Sequence, residues 1–142
     1  MSAATTMEHA LMLLAERDIE LRHGLYERFF ACFPERRAEF LCPEATSVRM
    51  TDETLQLLYG LAGGEKWVWP LVAELVATHQ AYGALPLAEF DAFVDMLVEE
   101  LEAALGADWT GDQADAWGEQ SEALKTMIGK AQAEWDLVLP RG

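Results

Sequence analysis

The chain is predicted to be an all-α domain of about seven helices, and three observations carry that reading. Apolar residues recur every three or four positions in almost every segment. Alanine, leucine and glutamate dominate, and no stretch alternates apolar with polar residues as a half-buried strand would. Finally, 51% of the 142 residues are apolar, too many for a disordered chain and enough for one core, so a single domain over residues 1–142 is expected.

The first helix is expected from about Thr6 to Arg17, with Leu11, Leu13, Leu14 and Ala15 on its apolar side and Thr5 or Thr6 as cap. A second runs from about Ile19 to Cys32 and carries Leu21, Leu25, Tyr26, Phe29 and Phe30. Pro34 opens a short helix that leads to Phe40, because a proline's missing N–H costs nothing in a first turn. The segment LCPEATS, with Pro43 and two hydroxyls, reads as a loop. The next helix spans about Ser47 to Ala62, and Gly63-Gly64 ends it. Another starts near Trp69-Pro70 and stops by Gly83, with Leu71, Val72, Leu75, Val76 and His79 on one face. Pro86 opens a long helix to about Leu105, carrying Phe90, Phe93, Met96, Leu97 and Leu101. The last runs from about Gly111 to Trp135, with Asp108 or Thr110 as cap.

Charge narrows the partners. With 25 acidic and 10 basic residues the formal net charge is −15, which repels nucleic acid and anionic membranes. The acidic face is then either solvated surface or a dock for a basic partner. The apolar segments are broken by charges before the roughly 18 residues that a membrane span needs. The start, MSAATTMEHA, carries Glu8 and lacks a basic leader, so no signal peptide is expected and the location predicted is cytoplasmic.

The familiar catalytic signatures are missing: there is no glycine-rich phosphate loop, HExxH, GxSxG or CxxC. His9, His23 and His79 are too scattered for a multi-histidine site, and the ExxH motif of di-metal bundles occurs once, at Glu20 and His23. Cys32 and Cys42 make neither a disulfide framework nor a zinc site. What stands out is an imidazole on an apolar stripe, in ELVATHQAYG. His79 is either a core histidine satisfied by a neighbour or a ligand facing a cofactor. Phe29, Phe30, Phe40, Phe90 and Phe93 could wall an apolar slot, and Tyr26 places a hydroxyl on an otherwise carbon-rich face.

Taken in order, three stretches resemble the bacterial globins. LYERFFACFPERRAEF is similar to their second and third helices, with Tyr26, Pro34 and Phe40 at the family's spacing. ELVATHQAYG resembles the helix that ends in the proximal histidine, and LVEELEAALGADWTGDQADAWGEQSEALKTMI resembles the last two helices. The resemblance covers nearly the whole chain. It implies a globin-like fold around a non-covalent haem b (iron protoporphyrin IX); CxxCH, which would attach haem covalently, is absent. It also implies reversible binding of oxygen, and of nitric oxide or carbon monoxide. His79 would be the iron ligand, with Leu75 packing under the haem and Phe40 against its face. Leu85, Phe90 and Phe93 would line the walls, and Tyr26 would direct its hydroxyl to the distal ligand, as in flavohaemoglobin-like globins.

The sequence departs from that pattern in three places. The distal helix, in the register that turns Leu55 and Leu58 inward, presents Met50, Thr54 and Leu55 where many globins carry histidine or glutamine; Met50 is either packing or a weak sixth ligand. Gln132 stands where flavohaemoglobin-like globins have a glutamate that strengthens the proximal histidine as an electron donor. No reductase stretch follows the last helix, so nitric oxide dioxygenation would need a separate reductase. Arg36, Arg37 and Arg49 could meet haem propionates or such a partner, or be solvated surface. A second class of function remains open, a haem-free globin-like sensor or protein-interaction module whose acidic surface carries the activity.

Overall fold

A computed structural model describes residues 2–40, 42–82 and 85–138. Among them are six α-helices and three 3₁₀ helices and no strand, the all-α architecture the periodicity predicts. The α-helices are α1 (Ala3–Glu16), α2 (Arg22–Cys32), α3 (Pro43–Ala62), α4 (Val68–His79), α5 (Leu87–Leu105) and α6 (Gly111–Val138). The short proline-led helix is a 3₁₀ helix, Pro34–Glu39.

Several boundaries differ from expectation, each for a local reason. α1 begins earlier than Thr6, because Ser2 Oγ accepts from the Thr5 amide at 3.1 Å and caps it. Thr6, expected as a cap, is buried. α1 ends in a Schellman turn: Asp18 adopts φ 52°, its amide bonds Ala15 O, and the Ile19 amide bonds Leu14 O. That turn uses residues 18–21, so α2 starts at Arg22 rather than Ile19. The expected loop LCPEATS is helical from Pro43 on, since Pro43 occupies the first turn of α3; Leu41 lies outside the described residues. α4 continues past His79 as a 3₁₀ turn, Gln80–Tyr82, and Gly83 is outside the described residues. Thr110 caps α6, its Oγ1 accepting from the Gln113 amide at 3.2 Å, while Asp108 pairs with Arg17 instead.

α6 is the axis of the packing. It lies against α1, α3, α4 and α5, while α2 packs on α5 and on the Pro34–Glu39 turn. The core is apolar, built on Met7, Leu25, Leu58, Val72, Leu97 and Trp117, all fully buried. Trp117 carries one polar atom into it. Its Nε1 donates to Gln113 Oε1 at 3.0 Å, and Gln113 Nε2 donates to Thr6 O at 2.7 Å, so the burial leaves no donor unpaired along that line. The α3–α4 turn is tight at Gly60, where a Cβ would lie 2.7 Å from the Trp67 ring. Hence α4 leaves α3 closely, and its apolar stripe Val72, Val76 meets α6 with His79 at the far end.

Candidate functional site

His79 is the last residue of α4 and is half-buried. Its Nδ1 lies 2.7 Å from Leu75 O, one turn back. A carbonyl can only accept, so the proton of the neutral ring sits on Nδ1 and the lone pair on Nε2. A backbone carbonyl on one ring nitrogen is how a ligating imidazole is commonly oriented. Phe90, from α5, meets the ring edge-on at 5.4 Å between centroids. Leu85 stands between the two helices, half-buried, and its carbonyl accepts from Gln132 Nε2 at 2.9 Å. The Gln132 amide therefore anchors the segment that leads from α4 into α5.

Tyr26 sits on α2 and is 6% exposed. Four phenylalanines ring it, all contributing to one apolar wall: Phe40 at 5.5 Å, Phe93 at 5.6 Å, Phe30 at 5.7 Å and Phe29 at 6.4 Å. The α2 helix brings Phe29 and Phe30; the 3₁₀ turn delivers Phe40, and α5 delivers Phe93. The Tyr26 hydroxyl is buried among them with no hydrogen-bond partner. Desolvation raises its pKa well above the ordinary tyrosine value, so the group stays protonated and remains a donor.

On α3, Thr54 is buried and its hydroxyl donates to Met50 O at 2.8 Å, while Met50 is partly buried against the core. Leu55 is partly buried against the core and also lines a groove with Leu11, Gln56 and Tyr59 on the α1 side of α3. Leu58, by contrast, is fully buried as expected.

Arg36 does not form an open cationic patch. Its Nε and Nη2 make a two-point pair with Glu89 at 2.7 Å each, and its Nη1 meets Glu39 at 3.0 Å. These carboxylates raise its pKa further. Arg37 stacks over the Phe30 ring at 4.7 Å. Arg49 is exposed. The Arg36–Glu89 tie joins the Pro34–Glu39 turn to the start of α5, and thereby holds together the segments that carry Phe40 and Phe90. Sequence reading missed it because the partners are 53 residues apart. The only available hint was a glutamate in the first turn of a helix beside arginines needing partners.

Among the described residues no three His, Cys, Asp or Glu side chains converge on a point where a metal could sit. A metal at His79 would therefore have to bring other ligands with it. The globin model matches residues 23–128. The chain belongs to the globin family. The matched span contains Tyr26, Phe40, His79, Phe90 and Phe93 and ends before Gln132, and α1 lies outside it. No curated protein sequence matches this globin. Among its described residues no helix is long and apolar enough to cross a membrane.

Proposed function

We propose that this globin holds haem b non-covalently through His79 and binds a small diatomic gas, oxygen first among them, beside Tyr26. The observation that carries the reading is the Tyr26 hydroxyl. Leaving a buried hydroxyl unpaired costs about 1–3 kcal/mol, so an accepting ligand from outside the chain would be favoured there. The hydrogen bond that Leu75 O accepts from His79 Nδ1 supports the same reading, since it orients the ring as the imidazole of a metal ligand is oriented. The residues present thus fit the group.

When bound, the haem supplies an iron centre able to take oxygen, nitric oxide or carbon monoxide. The chain's own residues do the rest. Leu75 O fixes the ring of His79, and Phe90 limits its rotation from the edge. Phe40 and Phe93 exclude water from the distal side. Thr54 spends its proton on Met50 O, which leaves Tyr26 as the donor to a gas ligand with partial negative charge. Met50, Thr54, Leu55, Leu75 and Leu85 complete the proposed lining. Gln132 is neutral and bonded to Leu85 O, so it adds no negative charge behind His79; this favours reversible binding over the peroxidase-like push of a flavohaemoglobin-like globin. Turnover of nitric oxide would draw electrons from a separate reductase.

The test is the absorption spectrum of the protein titrated with haem, oxidised and reduced, in wild type and His79→Ala. A Soret band that requires His79, with a five-coordinate reduced form that takes up carbon monoxide, is expected. Tyr26→Phe is expected to speed oxygen dissociation about ten-fold, the equivalent of one lost hydrogen bond. A six-coordinate reduced form would instead point to Met50 or another internal ligand on the iron. No haem uptake would return the protein to a haem-free interaction module, with His79 a core residue.

A further inference from the structure

One ion pair joins two of the segments whose phenylalanines ring Tyr26. Arg36 bonds Glu89 at two points, Nε to Oε1 and Nη2 to Oε2, each at 2.7 Å, and its Nη1 is held by Glu39 at 3.0 Å. The Glu89 side chain is 10% exposed and that of Arg36 20%, so water and salt screen the pair weakly.

What each partner carries along the chain gives the pair its reach. Arg36 lies in the Pro34–Glu39 turn, whose closing bond runs from the Phe40 amide to Arg37 O at 3.2 Å and sets where Phe40 leaves the turn. Glu89 lies in the first turn of α5. Phe90 is its chain neighbour, and Phe93 stands one helical turn further on, on the same side of α5. Phe40 and Phe93 both meet the Tyr26 ring, at 5.5 and 5.6 Å, and Phe90 meets the His79 ring at 5.4 Å. A slip of the turn along α5 would therefore move Phe40 relative to Phe93, and Tyr26 packs on both.

Adhesion alone does not call for charge here. A buried ion pair gives back in attraction little more than desolvation takes, and an apolar contact of the same size would hold the two segments as firmly. What the two-point pair adds is orientation, because a planar guanidinium meets a carboxylate in one plane and one register. We propose that Arg36 is a positioning residue for gas binding: by locking the Pro34–Glu39 turn onto α5 through Glu89, it sets where the Tyr26 hydroxyl stands relative to His79. It acts through Phe40, Phe93 and Phe90, not by contact with the ligand. This role rests on gas binding beside Tyr26 as proposed above.

The test compares Arg36→Lys and Glu89→Gln with wild type, first without haem and then loaded. Both variants keep a hydrogen-bonding side chain of similar length and lose the two-point charged pair. Lys125→Met is the control, since it breaks the tie to Asp95, which joins α5 to α6 rather than to the turn. Without haem, the ring-proton NOEs from Tyr26 to Phe40 and to Phe93 should weaken in both pair variants and match wild type in Lys125→Met. In the loaded protein oxygen should leave about three-fold faster from Arg36→Lys, a smaller effect than that of Tyr26→Phe, and Arg36→Lys should add nothing in the Tyr26→Phe background. Unchanged NOEs, an equal loss in Lys125→Met, or additive rates in the double variant would each overturn the proposal. If wild type takes up no haem, the gas-binding reading falls and this role with it, whereas haem uptake with unchanged NOEs overturns the positioning role alone.

Discussion

Tyr26 holds opposing demands in one side chain. Its ring is part of the aromatic wall, while its hydroxyl is buried with no partner in the chain. Tyr26→Phe should therefore leave the protein without haem as stable as wild type or more so, by about 1 kcal/mol, while impairing gas retention in the loaded protein. Thermal unfolding of the two proteins, each without haem, measures the first effect. pH adds a sign. The folded-state pKa of Tyr26 lies above the unfolded value of about 10, so its contribution is intact below that value. Above it the unfolded chain releases the proton and the folded protein cannot, so stability falls as pH rises. The difference in Tm between Tyr26→Phe and wild type should widen in favour of the variant once pH passes 10; a constant difference would mean the hydroxyl is solvated. At this scale Tyr26 and His79 were legible because each sits in a short local motif. Their partners were not. The Leu75 carbonyl follows from helical spacing, but Gln132 reaches Leu85 across 47 residues, a pairing that only tertiary packing creates.

Helices were readable wherever an apolar stripe kept its spacing over several turns, as in α4 and α5. Their ends were harder, because end residues are ambiguous one at a time. Pro43 serves equally as loop marker and as first helical residue, and here the second holds. Asp18 can be helical or left-handed, and only the two amide bonds at the end of α1 decide it. Between elements the decisive tie is Arg36. It fastens the Pro34–Glu39 turn to α5 through Glu89, whose side chain is only 10% exposed. Arg36→Ala would leave that carboxylate partly buried and uncompensated, at a cost of about 2 kcal/mol. Arg36→Lys should recover little, since an ammonium cannot make the two parallel bonds. Denaturant unfolding of both variants checks this, and full recovery by lysine would show that charge alone holds the turn.

Across the whole molecule, five of the ten basic residues, Arg17, Arg22, Arg28, Arg36 and Lys125, are committed to ion pairs among the described residues. Most of these pairs join different elements: Arg28 ties α2 to Glu100 of α5, and Lys125 ties α6 to Asp95 of α5. The remaining acidic surface is uncompensated, with a net charge of −15. Salt acts on both populations in opposite senses. It weakens attraction in the exposed pairs and weakens repulsion among the excess carboxylates. Exposed pairs contribute little, about 0–1 kcal/mol each, and the least exposed one, Arg36–Glu89, is screened least. Repulsion, by contrast, is summed over a surface where acids outnumber bases by 25 to 10. The repulsive term should therefore dominate the response. Raising sodium chloride from about 10 mM to about 500 mM, where the screening length falls from roughly 30 Å to under 5 Å, should raise Tm by about 3 °C or more. Scanning calorimetry across that range measures it. A falling Tm would mean that the cross-element pairs, rather than the excess charge, set the electrostatic stability of this globin.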